Sequence, residues 1–308
     1  MQYPELMARK RSGIDVMQAH HALGPGFAPY LEIARLADAA GIDELHISDH
    51  IAMSATAIRK RPTYPWPLDM PYYEALTALA AIAVVTQRIR LATNVLIGPL
   101  RSALFLARHA ATVDSISDGR LELGLGLGWQ REEFEASNVD FAGRRAVLVD
   151  QIDALRELWS AAPASFRGRT LEFEGMHSLP LPPQRGALPI TLGLRGTPAN
   201  LRLIAEKADG WSIIARTADE VEAGVSAVRR ALSDAGREPS SVRIVAKLPP
   251  VPDESTDESY ELARAYFAAG ADTVVGRLHV EHADPVRVRE HLDRLVSASR
   301  EADAERRP

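Results

Sequence analysis

Between Gly13 and the C-terminal tail, short apolar runs alternate eight times with longer segments of helical period. No other feature limits the fold as much. An apolar run of about five residues followed by an amphipathic helix is a βα unit, and repeated units build a mostly parallel sheet. Strands are expected at Gly13–Gln18, Glu44–Ser48, Ile89–Ile97, Leu121–Leu127, Pro189–Gly193, Trp211–Ala215, Val242–Leu248 and Thr273–Gly276. Helices are expected near Pro29–Ala40, Tyr73–Thr86, Ala103–Ile116, Arg144–Ser160, Pro198–Lys207, Ala218–Ala235, Tyr260–Ala269 and Pro285–Ser299. Eight of each favour an α/β fold, a closed (β/α)8 TIM-like barrel, as one domain over residues 1–308 with a flexible charged tail from about 300. An open doubly wound sheet usually has fewer strands and puts phosphate-binding glycines after its first strand. Here that turn reads QAHHALGPGF, a loop around Gly24, Pro25 and Gly26.

Two connections are longer than such a barrel needs, and long loops in compact domains tend to carry function. Ile51–Pro71 follows the second strand and carries Arg59, Lys60, Arg61, Tyr64 and Trp66. Ala161–Leu188 precedes the fifth strand and holds a hairpin around Leu171–Phe173 and the proline-rich SLPLPPQ. Loops after barrel strands build active sites, so the first insertion is placed as a lid or substrate wall. The second is read as a further cover for the mouth or as an ordinary surface excursion.

Composition narrows the partners. A formal charge of −5 gives no broad basic field for nucleic acid or anionic lipid, so neither is an expected partner. The chain has no cysteine, which removes disulfides, thiolate metal sites and cysteine nucleophiles, and no apolar run reaches the ~18 residues that span a bilayer. The start, MQYPELMARKRS, lacks the apolar segment of a signal peptide, so a cytoplasmic location is expected. No H-E-x-x-H, G-x-S-x-G or Walker A pattern occurs, and no metal site is indicated.

Candidate chemistry gathers at the expected strand ends. In RLELGLGLGWQREEF, Leu121, Leu123, Leu125 and Leu127 alternate with Glu122, Gly124, Gly126 and Gly128 before Trp129. Glycine lets a ligand approach the backbone, and the tryptophan offers a flat apolar surface; a strand making room for a neighbour reads the same way. Ser48, Asp49 and His50 end the second strand with a carboxylate and an imidazole, the best acid/base pair in the chain, although such pairs are more often structural. Asn94 interrupts the apolar third strand and needs a partner, cofactor or backbone, since an unpaired buried amide costs about 1–3 kcal/mol. After the fifth strand, Arg195, Gly196, Thr197 and Pro198 set a charge, a bare backbone and an N-cap at a helix start, a combination that attracts phosphate. A barrel holding a large, flat, phosphate-bearing cofactor across several loops needs that distribution.

Four stretches, ARLADAAGIDELHISDHI, RIRLATNVLIGPLR, ATVDSISDGRLELGLGLGWQREEFEA and LGLRGTPANLRLIAEKADGW, together resemble the bacterial luciferase-like monooxygenase superfamily, and within it the branch using the deazaflavin coenzyme F420. The resemblance covers roughly Leu31 to Ile214. It implies an oxidoreductase that moves a hydride between F420 and a small organic substrate, in a barrel that is commonly a homodimer. FMN-dependent monooxygenation is the nearest alternative, and a barrel that binds a ligand without turnover is a third. Carried over by position, Asp49 contacts the deazaflavin ring and His50 handles the proton beside the reactive carbon. Asn94 and Val95 match a bulge in strand three where a non-proline cis peptide meets the central ring, and Ile97 stands where a threonine often touches the cofactor. Leu127 and Gly128 match backbone contacts, and Gly196 with Thr197 match the phosphate side, to which Arg195 adds charge. Trp129 stands where sugar-phosphate dehydrogenases of this branch carry a second acid/base glutamate, which argues against sugar-phosphate oxidation. Trp66, Trp129 and Tyr64 are expected to form an apolar substrate wall.

Overall fold

The alternation forms the expected ring. The computed structural model describes residues 9–62, 64, 66–184, 188–249, 256–278 and 284–305. Its strands are β1 (Arg11–Asp15), β2 (Glu44–Ile47), β3 (Arg90–Thr93), β4 (Leu96–Ile97), β5 (Leu121–Gly126), β6 (Ala164–Arg167), β7 (Glu172–Met176), β8 (Ile190–Leu192), β9 (Gly210–Ile213), β10 (Arg243–Lys247) and β11 (Thr273–Arg277). β3 and β4 are two halves of one barrel strand, and both pair with β5, so the order β3-β2-β1-β11-β10-β9-β8-β5 closes on itself with every pairing parallel. The principal helices, Ala28–Ala40, Ala75–Ala83, Ala103–Ile116, Arg144–Ser160, Pro198–Lys207, Ala218–Asp234, Thr256–Ala268 and Pro285–Ala304, each follow a barrel strand. Among the described residues no helix is long and apolar enough to cross a membrane.

Both faces of a parallel barrel sheet are covered, so periodicity alone does not say which side of a strand lies inside. In β5, Leu121, Leu123 and Leu125 join the large apolar cluster beneath the helices. Glu122 and the glycines between them turn inward. In β10 likewise, Ile244 and Ala246 join that cluster, while Arg243 and Lys247 point into the barrel.

The barrel floor is a buried charge network. Arg243 donates to Glu44, to both oxygens of Glu122 and, at 2.7 Å, to Thr273. Arg11 adds a second cation to Glu44 at 3.0 Å, and His46 pairs with the other Glu44 oxygen at 3.1 Å. Burial pushes the Glu44 carboxyl up, but Arg243, His46 and Arg11 outweigh it and hold it well below the usual carboxylate range.

The second insertion is placed differently from the reading that set it at the mouth. Its hairpin, β6 with β7, packs on the helix Arg144–Ser160, where Thr170 donates to Asp150 at 2.8 Å. Gln184 then reaches Asp114 at 2.7 Å and the Leu121 carbonyl at 2.7 Å, near the start of β5 and thus the opposite end of the barrel. The tail also departs from expectation. The last helix continues to Ala304 because Tyr260 donates to Glu301 at 2.6 Å and Asp303 accepts from the Lys10 amide at 2.6 Å. Residues 306–308 of the expected flexible tail lie outside the described residues.

Candidate active site

The site is built around an extra residue in the third barrel strand. Ala92 pairs with Glu122 and Leu96 with Leu125, so the β3/β4 strand takes four steps where β5 takes three. The surplus is a bulge at Asn94 and Val95. The Asn94–Val95 peptide is cis.

This bulge, and no ligand, accounts for the glycine run in β5. A Cβ on Gly124 would sit 1.9 Å from the Thr93 carbonyl oxygen, and one on Gly126 would sit 2.6 Å from Val95 Cγ2. Gly193, after β8, meets Val95 Cγ1 at 2.6 Å in the same test. The glycines are therefore sockets for the bulge, the reading in which a strand makes room for its neighbour. Gly128 differs. Its φ of +71° lies in the left-handed region, and a Cβ would meet Phe134 and Ile97 at 2.7 and 2.8 Å. Gly126→Val is expected to push Val95 out of its socket and destabilise the fold by about 1–3 kcal/mol. A urea midpoint unchanged from wild type would contradict that packing.

Asn94 finds its partners in side chains rather than in backbone or cofactor. Ser212 donates to its Oδ1 at 2.8 Å, and its amide lies 3.2 Å from His46 Nδ1. His46 in turn pairs with Glu44, so the bulge is fastened to the floor network. The Asn94 carbonyl accepts from Ser48 Oγ at 3.1 Å, and Ser48 accepts from Lys247 Nζ at 3.0 Å.

His50 lies at the cavity wall between two partners. Its Nδ1 is 3.0 Å from Glu133 Oε2, and the indole N–H of Trp129 donates to its Nε2 at 3.3 Å. That pattern fixes the neutral tautomer, with the proton on Nδ1 and donated to the carboxylate. Burial pushes the Glu133 carboxyl up, but His50 and the amides of Ile51 and Ala52 overcome this and hold it below the usual range. Sequence reasoning missed Glu133. The signal was its position in REEF, one helical turn after the strand-end tryptophan. Trp129 thus does more than form a wall, because it fixes the resting orientation of His50.

Asp49 lines the cavity and is also tied into the loop behind it. Its oxygens are held by both ends of Arg101 at 2.9 Å and by the Ile97 amide at 3.1 Å, so its carboxylate braces the loop. Ile97 itself, with Leu127 and Gly128, lines the cavity.

The first insertion closes over the mouth as expected. Arg61 stacks on Trp129 at 4.6 Å, the Tyr64 ring lies 5.3 Å from it, and the Tyr64 hydroxyl meets that of Tyr72 at 2.5 Å. Trp66 sits beneath Arg277 at 5.6 Å. Together these segments enclose a cavity of about 600 Å³.

At its far end the cavity is cationic. Thr197 caps the helix Pro198–Lys207, and Arg195, Thr197, Asn200 and Arg144 line the wall there. Arg145 donates to Asn200 and to the Ala199 carbonyl, placing another guanidinium beside the helix start. A Cβ on Gly196 would meet only the Trp211 ring, at 3.5 Å, which is ordinary contact. Packing does not demand glycine there, and its bare backbone leaves room for an anion. Apolar walls from Met17, Val95, Leu127, Leu194 and Ile214 join this end to His50. The residues present therefore fit a flat ring carrying an anionic arm.

Comparison with known proteins agrees with this architecture. An uncharacterized protein of Mycobacterium tuberculosis is 30% identical over 226 residues, 72% of this chain and 79% of that protein. An F420-dependent secondary alcohol dehydrogenase, solved with an F420-acetone adduct, superposes with a TM-score of 0.75 over 94% of this chain and 99% of its own, at 15% identity. A type II Baeyer–Villiger monooxygenase of Pseudomonas putida, solved with FMN, gives 0.72 over 96% and 99%, at 17% identity. At such identities the structures show a shared fold. The family model for luciferase-like monooxygenases matches residues 8–307, and the chain belongs to that family.

Proposed function

We propose that this protein transfers a hydride between the deazaflavin coenzyme F420 and a small organic substrate. The observation that carries the reading is the Glu133–His50 pair on the wall of a cavity that also holds Arg144, Arg195 and the capped helix start at Thr197. When bound, the deazaflavin supplies or accepts the hydride; the protein orients, excludes water and manages protons. Arg144, Arg195 and Thr197 would hold the anionic arm, and Val95, Leu127 and Leu194 would receive the ring. His50 accepts a proton at Nε2 once the Trp129 indole yields that position, and the Glu133 carboxylate stabilises the imidazolium that results. Asp49 contributes indirectly by fixing Arg101 and the Ile97 amide.

FMN-dependent monooxygenation is the second reading, favoured by the family's description and by the FMN in the Pseudomonas putida neighbour. Fluorescence titration of the purified protein with each cofactor separates the two. Binding of F420 at micromolar or lower concentration, at least tenfold tighter than FMN, is the expected outcome. Tight FMN binding without F420 binding would transfer the assignment to the second reading.

A further inference from the structure

We propose that Lys247 is a second proton-carrying group of this site, exchanging a proton with the oxygen of a carbonyl or hydroxyl substrate as the hydride moves. The proposal rests on the hydride-transfer reading above.

Lys247 ends β10 and lines the cavity, with 14% of its side chain exposed. Its Nζ pairs with Asp15 at the end of β1 and donates to Ser48 after β2. Ser48 is bonded to the carbonyl of the bulge, against which the ring is placed, and stands two residues from His50. The ammonium is therefore held next to the bulge, although β10, which carries it, lies three strands around the barrel from β2.

A purely structural lysine explains this arrangement poorly. Asp15 already accepts from the Met17 amide at 2.9 Å and has Arg277, from β11, at 3.7 Å as a second cation. Arg277 also donates to the Leu248 carbonyl at 2.6 Å. A guanidinium keeps its proton throughout the useful pH range, whereas an amine can lose one. Burial pushes the Lys247 ammonium down to about 8; Asp15 opposes this and Arg277 reinforces it.

Apart from His50, the other cavity groups are poorly suited to the task. Among the described lining residues Asp49 is the one carboxylate, and Arg101 is paired with it. Burial pushes the Tyr64 and Tyr72 phenols up, away from neutrality. Trp129 holds no exchangeable acid.

In the reducing direction the carbonyl carbon takes the hydride from reduced deazaflavin, a two-electron donor whose remaining ring proton is released to His50, and the C=O π pair moves onto oxygen. That oxygen takes one proton from the Lys247 ammonium, leaving a neutral amine. A C–H and an O–H bond form, the π bond breaks, and the amine regains its proton from water. Oxidation of an alcohol runs the same steps in reverse.

The chain has four lysines, Lys10, Lys60, Lys207 and Lys247, so protein labelled with 13C at lysine Cε gives a resolvable NMR titration without cofactor. One signal is expected to titrate near 8 and to vanish in Lys247→Met. With reduced F420 and a panel of small ketones, wild-type kcat should fall as pH rises past that value. Lys247→Arg should lose about 100-fold or more in kcat and lack the break, with F420 affinity within threefold of wild type. The double variant Asp15→Asn/Lys247→Met, which leaves no buried carboxylate behind, should show the same loss. A Lys247 signal titrating above 10, or a Lys247→Met enzyme within threefold of wild-type kcat with the break retained, would overturn the proposal. Failure of wild type to bind F420 would instead overturn the hydride-transfer reading, and this step with it.

Discussion

His50→Ala is expected to lower kcat by 10²- to 10⁴-fold while F420 affinity changes by less than threefold. The contrast follows from where the side chain sits. His50 is joined to Glu133 and Trp129, while the anion-holding groups Arg144, Arg195 and Thr197 lie at the other end of the cavity. Glu133→Gln should give a smaller loss of about 10- to 100-fold, because the amide keeps the packing and removes the charge that favours the imidazolium. It also carries a stability signature. The Glu133 carboxyl is held below its ordinary 4.5 in the folded protein, so its contribution is complete above that pH and is lost as pH falls through the folded value. Denaturation midpoints of wild type and Glu133→Gln should therefore converge in acid. A parallel offset at every pH would contradict the ionised carboxylate.

Arg243→Met should cost about 3–5 kcal/mol, the largest stability effect expected from a single change in the barrel floor. Arg243 is 1% exposed and neutralises both Glu44 and Glu122, so its removal strands negative charge where water does not reach. Arg11 still faces Glu44, while Glu122 is left without Arg243 and keeps the Thr191 hydroxyl, which donates to it at 2.5 Å. Adding Glu122→Gln to Arg243→Met is thus expected to recover part of the loss. Urea unfolding of the three proteins checks it; a single variant within 1 kcal/mol of wild type would show that the network is not essential to the fold.

The barrel was legible because each strand is followed by a helix with its own apolar stripe, a signal that needs no tertiary information. The helix start at Thr197 and Pro198 was legible for the same reason, since caps are local. The glycines of β5 were visible, but which of their two readings holds was not. Their neighbour is Val95, 31 residues from Gly126 in sequence, and only the register of β3/β4 against β5 brings the two together. Asp49 and His50 illustrate the same limit. Adjacent in sequence, they turn to different partners, Arg101 and Glu133, supplied by segments that follow two other barrel strands. Lys247, at the end of an ordinary apolar strand, gave no local sign that Asp15 and Ser48 would meet it.

The most direct test of the account is a crystal structure of this protein with F420. The deazaflavin ring is expected against Val95, with its reactive carbon beside His50 Nε2 and its phosphate at Arg195 to Thr197. A ring bound away from the Asn94–Val95 bulge, or a phosphate seated at any other end of the cavity, would contradict it.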